Sequence, residues 1–201
     1  MGLRDLLLFG VLALLVVKVP TKPYIGALAW VVFGVMVPHR LAYGPANDFQ
    51  FAQVIAILTV IGLFLTKDHR QLKGGAPAVV LAVLLAWMCL TTVFSMNTTA
   101  SLDYLIRVVK TFAMTWVLLT VLHTRRHVDL LIWALVLSLG FYGIKGGLFT
   151  ITTLGQFRVN GPEGSVIEGN NSLAVGLVTV IPLMFYLHQE AREKWLRLAL
   201  K

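Results

Sequence analysis

Seven apolar runs, separated by polar, proline-bearing or basic connections, dominate the chain and leave few folds open to it. They cover about 6–17, 24–37, 49–66, 76–94, 102–122, 128–150 and 171–188. None alternates with the two-residue period of a barrel strand. Of the 201 residues, 58% are hydrophobic and 13% charged, more apolar surface than a soluble core of this size can bury. The pattern predicts an all-α polytopic integral membrane protein of about seven transmembrane helices. Residues 1–201 are expected to form one transmembrane domain, with two short first helices (6–37), core helices (49–188) and an amphipathic cytoplasmic tail (189–201). The first two runs fall short of the ~20 residues of a typical span and are expected to form a thin, tilted hairpin. The first lacks a signal-peptidase pattern and leads straight into the second, so it is read as retained.

The net charge of +8 does not imply nucleic acid, because the cations fall between apolar runs instead of along a basic helix. Numbering the connections alternately puts eleven Lys and Arg on one side, among them Lys18, Lys22, Lys67 and Arg125. The other side holds three: Arg4, Arg40 and Arg158. The positive-inside rule makes the first side cytoplasmic. The connections 95–101 and 156–170 then face outward.

The three remaining cations, Arg107, Lys110 and Lys145, lie within spans. A charge in hydrocarbon costs several kcal/mol and marks a functional position by default. Arg107 and Lys110, three residues apart, share a helix face. They fall about 7 Å and 12 Å below the outer edge of the fifth span, while Lys145 falls ~25 Å along the sixth, near the same edge. No carboxylate within a span neutralises them. A site for an anion, such as a pyrophosphate, accounts for cations converging on one leaflet; Arg158 and Arg40 would join it from outer connections. The plainer alternative is that these side chains snorkel to headgroups, or pair with Asp103 and Glu168.

Other features weigh less. Gly146 and Gly147 are expected to loosen the sixth helix beside Lys145, and Gly143 with Gly147 forms a helix-packing pair. His39, in the outer Pro38-His-Arg40, is a weaker candidate for substrate contact. Glu168 is a weak candidate for an acid or base, or for orienting Arg158. Asn170 and Asn171 would cap the seventh span or touch a sugar. No metal-ligand spacing and no nucleophile–base pair is visible.

Five segments carry a resemblance: Pro38-His-Arg, Asp48-Phe-x-Phe-Ala-Gln53, Leu137-Ser-Leu-Gly-Phe-Tyr-Gly-x-Lys-Gly-Gly147, Arg158-Val-x-Gly-Pro-x-Gly-Ser165, and Ile167-Glu-x-Asn-Asn171. Together they resemble the O-glycosylation ligases associated with the exosortase A system, within the O-antigen ligase/polymerase superfamily. The chain resembles only the amino-terminal half of such a protein, whose other half carries further spans and a periplasmic loop with a catalytic histidine. The resemblance implies transfer of a glycan from undecaprenyl pyrophosphate to an acceptor hydroxyl, of a protein in the exosortase system, on the periplasmic face of a bacterial inner membrane. It implies no cofactor and no metal, and that these 201 residues alone are inactive. A reading from a different class is a transporter, or a lipid-binding or structural subunit, handling an anionic lipid-linked substrate.

Overall fold

The computed structural model describes residues 2–66 and 75–190. Among these residues seven α-helices follow one another: α1 Leu3–Lys18, α2 Pro23–Val35, α3 Phe51–Leu65, α4 Gly75–Val93, α5 Thr98–Val121, α6 Arg125–Thr152 and α7 Asn170–Glu190. A 3₁₀ turn, Pro38–Leu41, joins α2 to α3. No strand occurs among the described residues. The protein is an all-α membrane protein. Helices α4 to α7 are each long and apolar enough to cross a bilayer, whereas α2 and α3 are apolar but shorter.

Local chemistry explains the boundaries. Pro23 opens α2, where a missing N–H costs nothing. The Asn97 side chain accepts from the Ala100 N–H at 3.2 Å and caps α5; Thr124 caps α6 by accepting from the His127 N–H at 3.2 Å. Inside the helices, threonine hydroxyls donate to carbonyls one turn back, as Thr59 does to Ile55 at 2.7 Å and Thr150 to Gly146 at 2.9 Å. In hydrocarbon such a hydroxyl has no water to turn to, so the helix backbone satisfies it.

Two apolar clusters hold the bundle. Leu12, Leu15, Val19, Phe33, Phe51 and Ile55 join α1, α2 and α3, and Ala42 and Ala46 add the connection after the 3₁₀ turn. Val136, Leu139, Tyr142, Leu173 and Val180 join α6 to α7, with Ile167 inserted from the loop between them. Helix α2 contacts α1, α3, α5 and α6, so it stands at the centre. Gly26 permits that: a Cβ there would lie 2.3 Å from Thr59 Oγ1 and 2.7 Å from Val19 Cγ1. Helix α4 packs on α5 and buries none of its residues.

The helices alternate in direction. At one end Arg4 of α1 donates to the Leu41 carbonyl at 2.7 Å, and Tyr142 of α6 donates to the Met36 carbonyl. At the other end Arg125 of α6 pairs with Glu190 of α7 at 2.7 Å.

Three expectations need adjustment. Helix α6 runs unbroken through Gly140, Gly143, Gly146 and Gly147 to Thr152, so the glycines do not break the helix; Gly143 and Gly146 make room for neighbours, while Gly140 and Gly147 face open space. The third apolar run yields only 15 helical residues, because Phe49 and Gln50 remain in the preceding connection and Thr66 turns extended. Asn170 and Asn171 form the first turn of α7, and among the described residues neither side chain makes a capping hydrogen bond. The basic connection 67–74 and nearly all of the expected tail (191–201) lie outside the described residues.

Candidate functional site

Where α6 emerges, Tyr142, Lys145, Gly146 and Phe149 fall at i, i+3, i+4 and i+7 and present one face. That face, the 3₁₀ turn and the segment 158–163 enclose a cavity of about 360 Å³. Arg40, Lys145 and Arg158 line it, together with Asn47, Tyr142, Asn160 and Glu163. Three cations thus meet one carboxylate.

The loop is built to stay there. Its residues 161–168 close on themselves: the Gly161 N–H donates to the Glu168 carbonyl at 2.9 Å, and the Gly164 N–H donates to Glu168 Oε2 at 3.0 Å. Ser165 Oγ donates to the Pro162 carbonyl at 2.7 Å and accepts from the Ile167 N–H at 3.2 Å. A Cβ on Gly161 would lie 1.8 Å from the Ile167 carbonyl oxygen, so only glycine permits this closure. Gly146 leaves room for Val159, whose Cγ1 would sit 2.8 Å from an added Cβ. Ile167, 7% exposed, fixes the loop to the α6–α7 core.

Arg40 reaches under this loop. Its Nη1 donates to Asn47 Oδ1 at 3.1 Å and stands 3.8 Å from Asp48 Oδ1. Asp48 is almost wholly exposed, so that ion pair is weak and leaves Arg40 free to engage an anion. Lys145 and Arg158 make no ion pair among the described residues. Just before the turn, Val37 holds a left-handed backbone (φ 47°) that a β-branched residue rarely adopts, at a cost of about 1–2 kcal/mol. The Tyr142 hydroxyl, bonded to the carbonyl of Met36, secures that corner from α6. His39 turns away from the cavity toward the Phe51 ring, with centroids 5.8 Å apart. Burial, and secondly the neighbouring Arg40, hold its pKa below the ordinary histidine value.

The sequence-derived candidates therefore divide. Arg40, Lys145 and Arg158 share the cavity. Glu168 is engaged in loop closure, and Asn170 and Asn171 are exposed at the start of α7. Arg107 and Lys110 sit on exposed positions of α5 and do not line the cavity. Arg107 lies over the Tyr104 ring at 5.9 Å. Sequence reasoning missed Tyr142 and Asn47. For Tyr142 a signal existed, since it lies three residues before Lys145 on the same face. For Asn47 only turn-like neighbours marked it.

An open pocket with these cations can take phosphate oxygens by charge-assisted hydrogen bonds, while Asn47 and Asn160 can donate to neutral hydroxyls. No curated protein and no solved structure matches the chain. Residues 3–192, nearly its whole length, match the model of a family of unknown function, DUF5935. The chain belongs to that family.

Proposed function

We propose that the cavity binds the pyrophosphate of a lipid-linked glycan, and that the protein is the donor-binding part of a membrane glycan ligase. One observation carries this reading: Lys145 and Arg158, neither ion-paired among the described residues, share a cavity with Arg40. The resemblance to O-glycosylation ligases supplies the donor, undecaprenyl pyrophosphate, and an acceptor hydroxyl, on a protein in the exosortase system. The end bearing the cavity has fewer basic connections, which supports a periplasmic orientation in a bacterial inner membrane.

In this reaction the acceptor oxygen attacks the anomeric carbon, the bond from that carbon to the phosphate oxygen breaks, and the electron pair leaves on the pyrophosphate. Lys145, Arg158 and Arg40 stabilise the charge that develops there. The base that removes the acceptor proton is assigned to the carboxy-terminal half implied by the resemblance. Glu168 is spent on ordering the loop, and Arg107 and Lys110 are not needed for this binding.

The test is Lys145→Gln and Arg158→Gln in the full-length protein, with glycan transfer and retention of the lipid pyrophosphate both measured. Each variant should lose at least about tenfold in both, the weight of one charge-assisted hydrogen bond. Unchanged retention and transfer would overturn the reading. Lost retention in a protein that transfers no glycan would favour the non-enzymatic lipid-binding alternative.

A further inference from the structure

The opposite end of the bundle holds a second cavity, of about 180 Å³, unrelated to the first. Four segments wall it: the α1–α2 turn, the end of α3, the end of α5 and the start of α6. Lys22, His123 and His127 line it, with Tyr24, Thr66 and Thr120. No carboxylate lines it among the described residues. Two acids among the described residues of α6 and α7 are engaged on the α7 side: Glu190 with Arg125 at 2.7 Å, and Asp129 with the Tyr186 hydroxyl at 2.9 Å.

Among the described residues, the Lys22 and His123 side chains that line this cavity make no hydrogen bond. The His127 ring stacks on Tyr24 with centroids 4.3 Å apart and meets His123 edge-on at 5.5 Å. Its Nδ1 is closed off from solvent and so from the cavity, which leaves Nε2 as the ring nitrogen able to meet a ligand. Thr66 and Thr120 direct their hydroxyl protons to their own helix carbonyls. The N-termini of α2 and α6 both open here, and both favour negative charge. Among the described residues, no carboxylate pairs with Lys22 or lines the cavity beside the two imidazoles and these termini.

We infer that this cavity is a second anion site, which takes a phosphate group at the membrane surface opposite the first cavity. Lys22 supplies the charge and His123 and His127 supply ring N–H donors. Tyr24 holds the His127 ring in position. The same chemistry suits the phosphodiester of an anionic phospholipid or a free phosphate, and the experiment separates them.

The full-length protein would be placed in nanodiscs of phosphatidylcholine alone, of phosphatidylcholine with phosphatidylglycerol, or of phosphatidylcholine with added inorganic phosphate. Diethyl pyrocarbonate labelling of His123 and His127 would report occupancy, and native mass spectrometry would count retained phosphatidylglycerol. Protection only with phosphatidylglycerol identifies a lipid headgroup; protection by inorganic phosphate identifies a soluble phosphate ligand. Either protection should fall about five- to tenfold in Lys22→Gln and in His127→Gln, judged on protein with the wild-type melting temperature. Lys18→Gln removes the same charge nearby but does not line the cavity, and should leave protection unchanged. Absence of protection in every disc, or equal loss in Lys18→Gln and Lys22→Gln, would overturn the inference.

Discussion

His39 and Arg40 are neighbours with opposite duties. Arg40 reaches into the cavity, while His39 packs toward Phe51 with its Nδ1 shielded and unpartnered. A histidine in such a place is tolerated when neutral, and burial and the adjacent guanidinium both disfavour its charged form. Because the folded pKa lies below the unfolded value of 6.5, His39 favours the fold fully above that pH. The contribution is lost as pH falls below it and the unfolded chain takes up the proton. The melting temperature should therefore drop between about pH 7.5 and pH 5, and His39→Asn should flatten that part of the profile. An unaltered slope in the variant would show that another group sets the acid limit. The location also matters for binding, since a charged His39 would strain the turn that aims Arg40.

Among the elements, α5 and α6 carry the three cations that sequence depth alone placed together. The position of each cation along its helix was legible; the identity of the neighbouring helix was not. Helix α2 contacts both α5 and α6, a placement that no local pattern in 23–35 records. Lys110 consequently sits halfway along α5 at an exposed position, and Lys145 opens into the cavity. Lys110→Leu should leave pyrophosphate retention within about twofold, whereas Lys145→Gln costs at least about tenfold. Equal losses would return α5 to the site. The helix boundaries themselves were readable to within a few residues, because hydropathy and caps are local. The loop closure at Gly161 was not, since it depends on a carbonyl six residues away that only the folded chain brings near. The glycines of α6 misled for the same reason. Gly146 and Gly143 admit Val159 and Leu177, side chains from outside the helix.

For the molecule as a whole, two apolar clusters meet at α2, and both reach the end that bears the main cavity. The helices that meet near this end of the bundle differ greatly in length. With 13 and 15 residues, α2 and α3 extend only about 20 Å and 22 Å, while the 28 residues of α6 extend about 42 Å. A hydrocarbon layer of ~30 Å overreaches the first pair and falls short of the last. This hydrophobic mismatch should pinch the bilayer beside α3, whose outer face is exposed, and lower the headgroup plane toward Arg40, where a lipid pyrophosphate could enter sideways without leaving its leaflet. Retention of the lipid-linked donor should then fall several-fold as nanodisc lipids lengthen from fourteen-carbon to twenty-two-carbon chains. A protein indifferent to chain length would have its cavity clear of the membrane surface. If the dependence holds, bilayer thickness becomes a control on how readily the donor reaches the site.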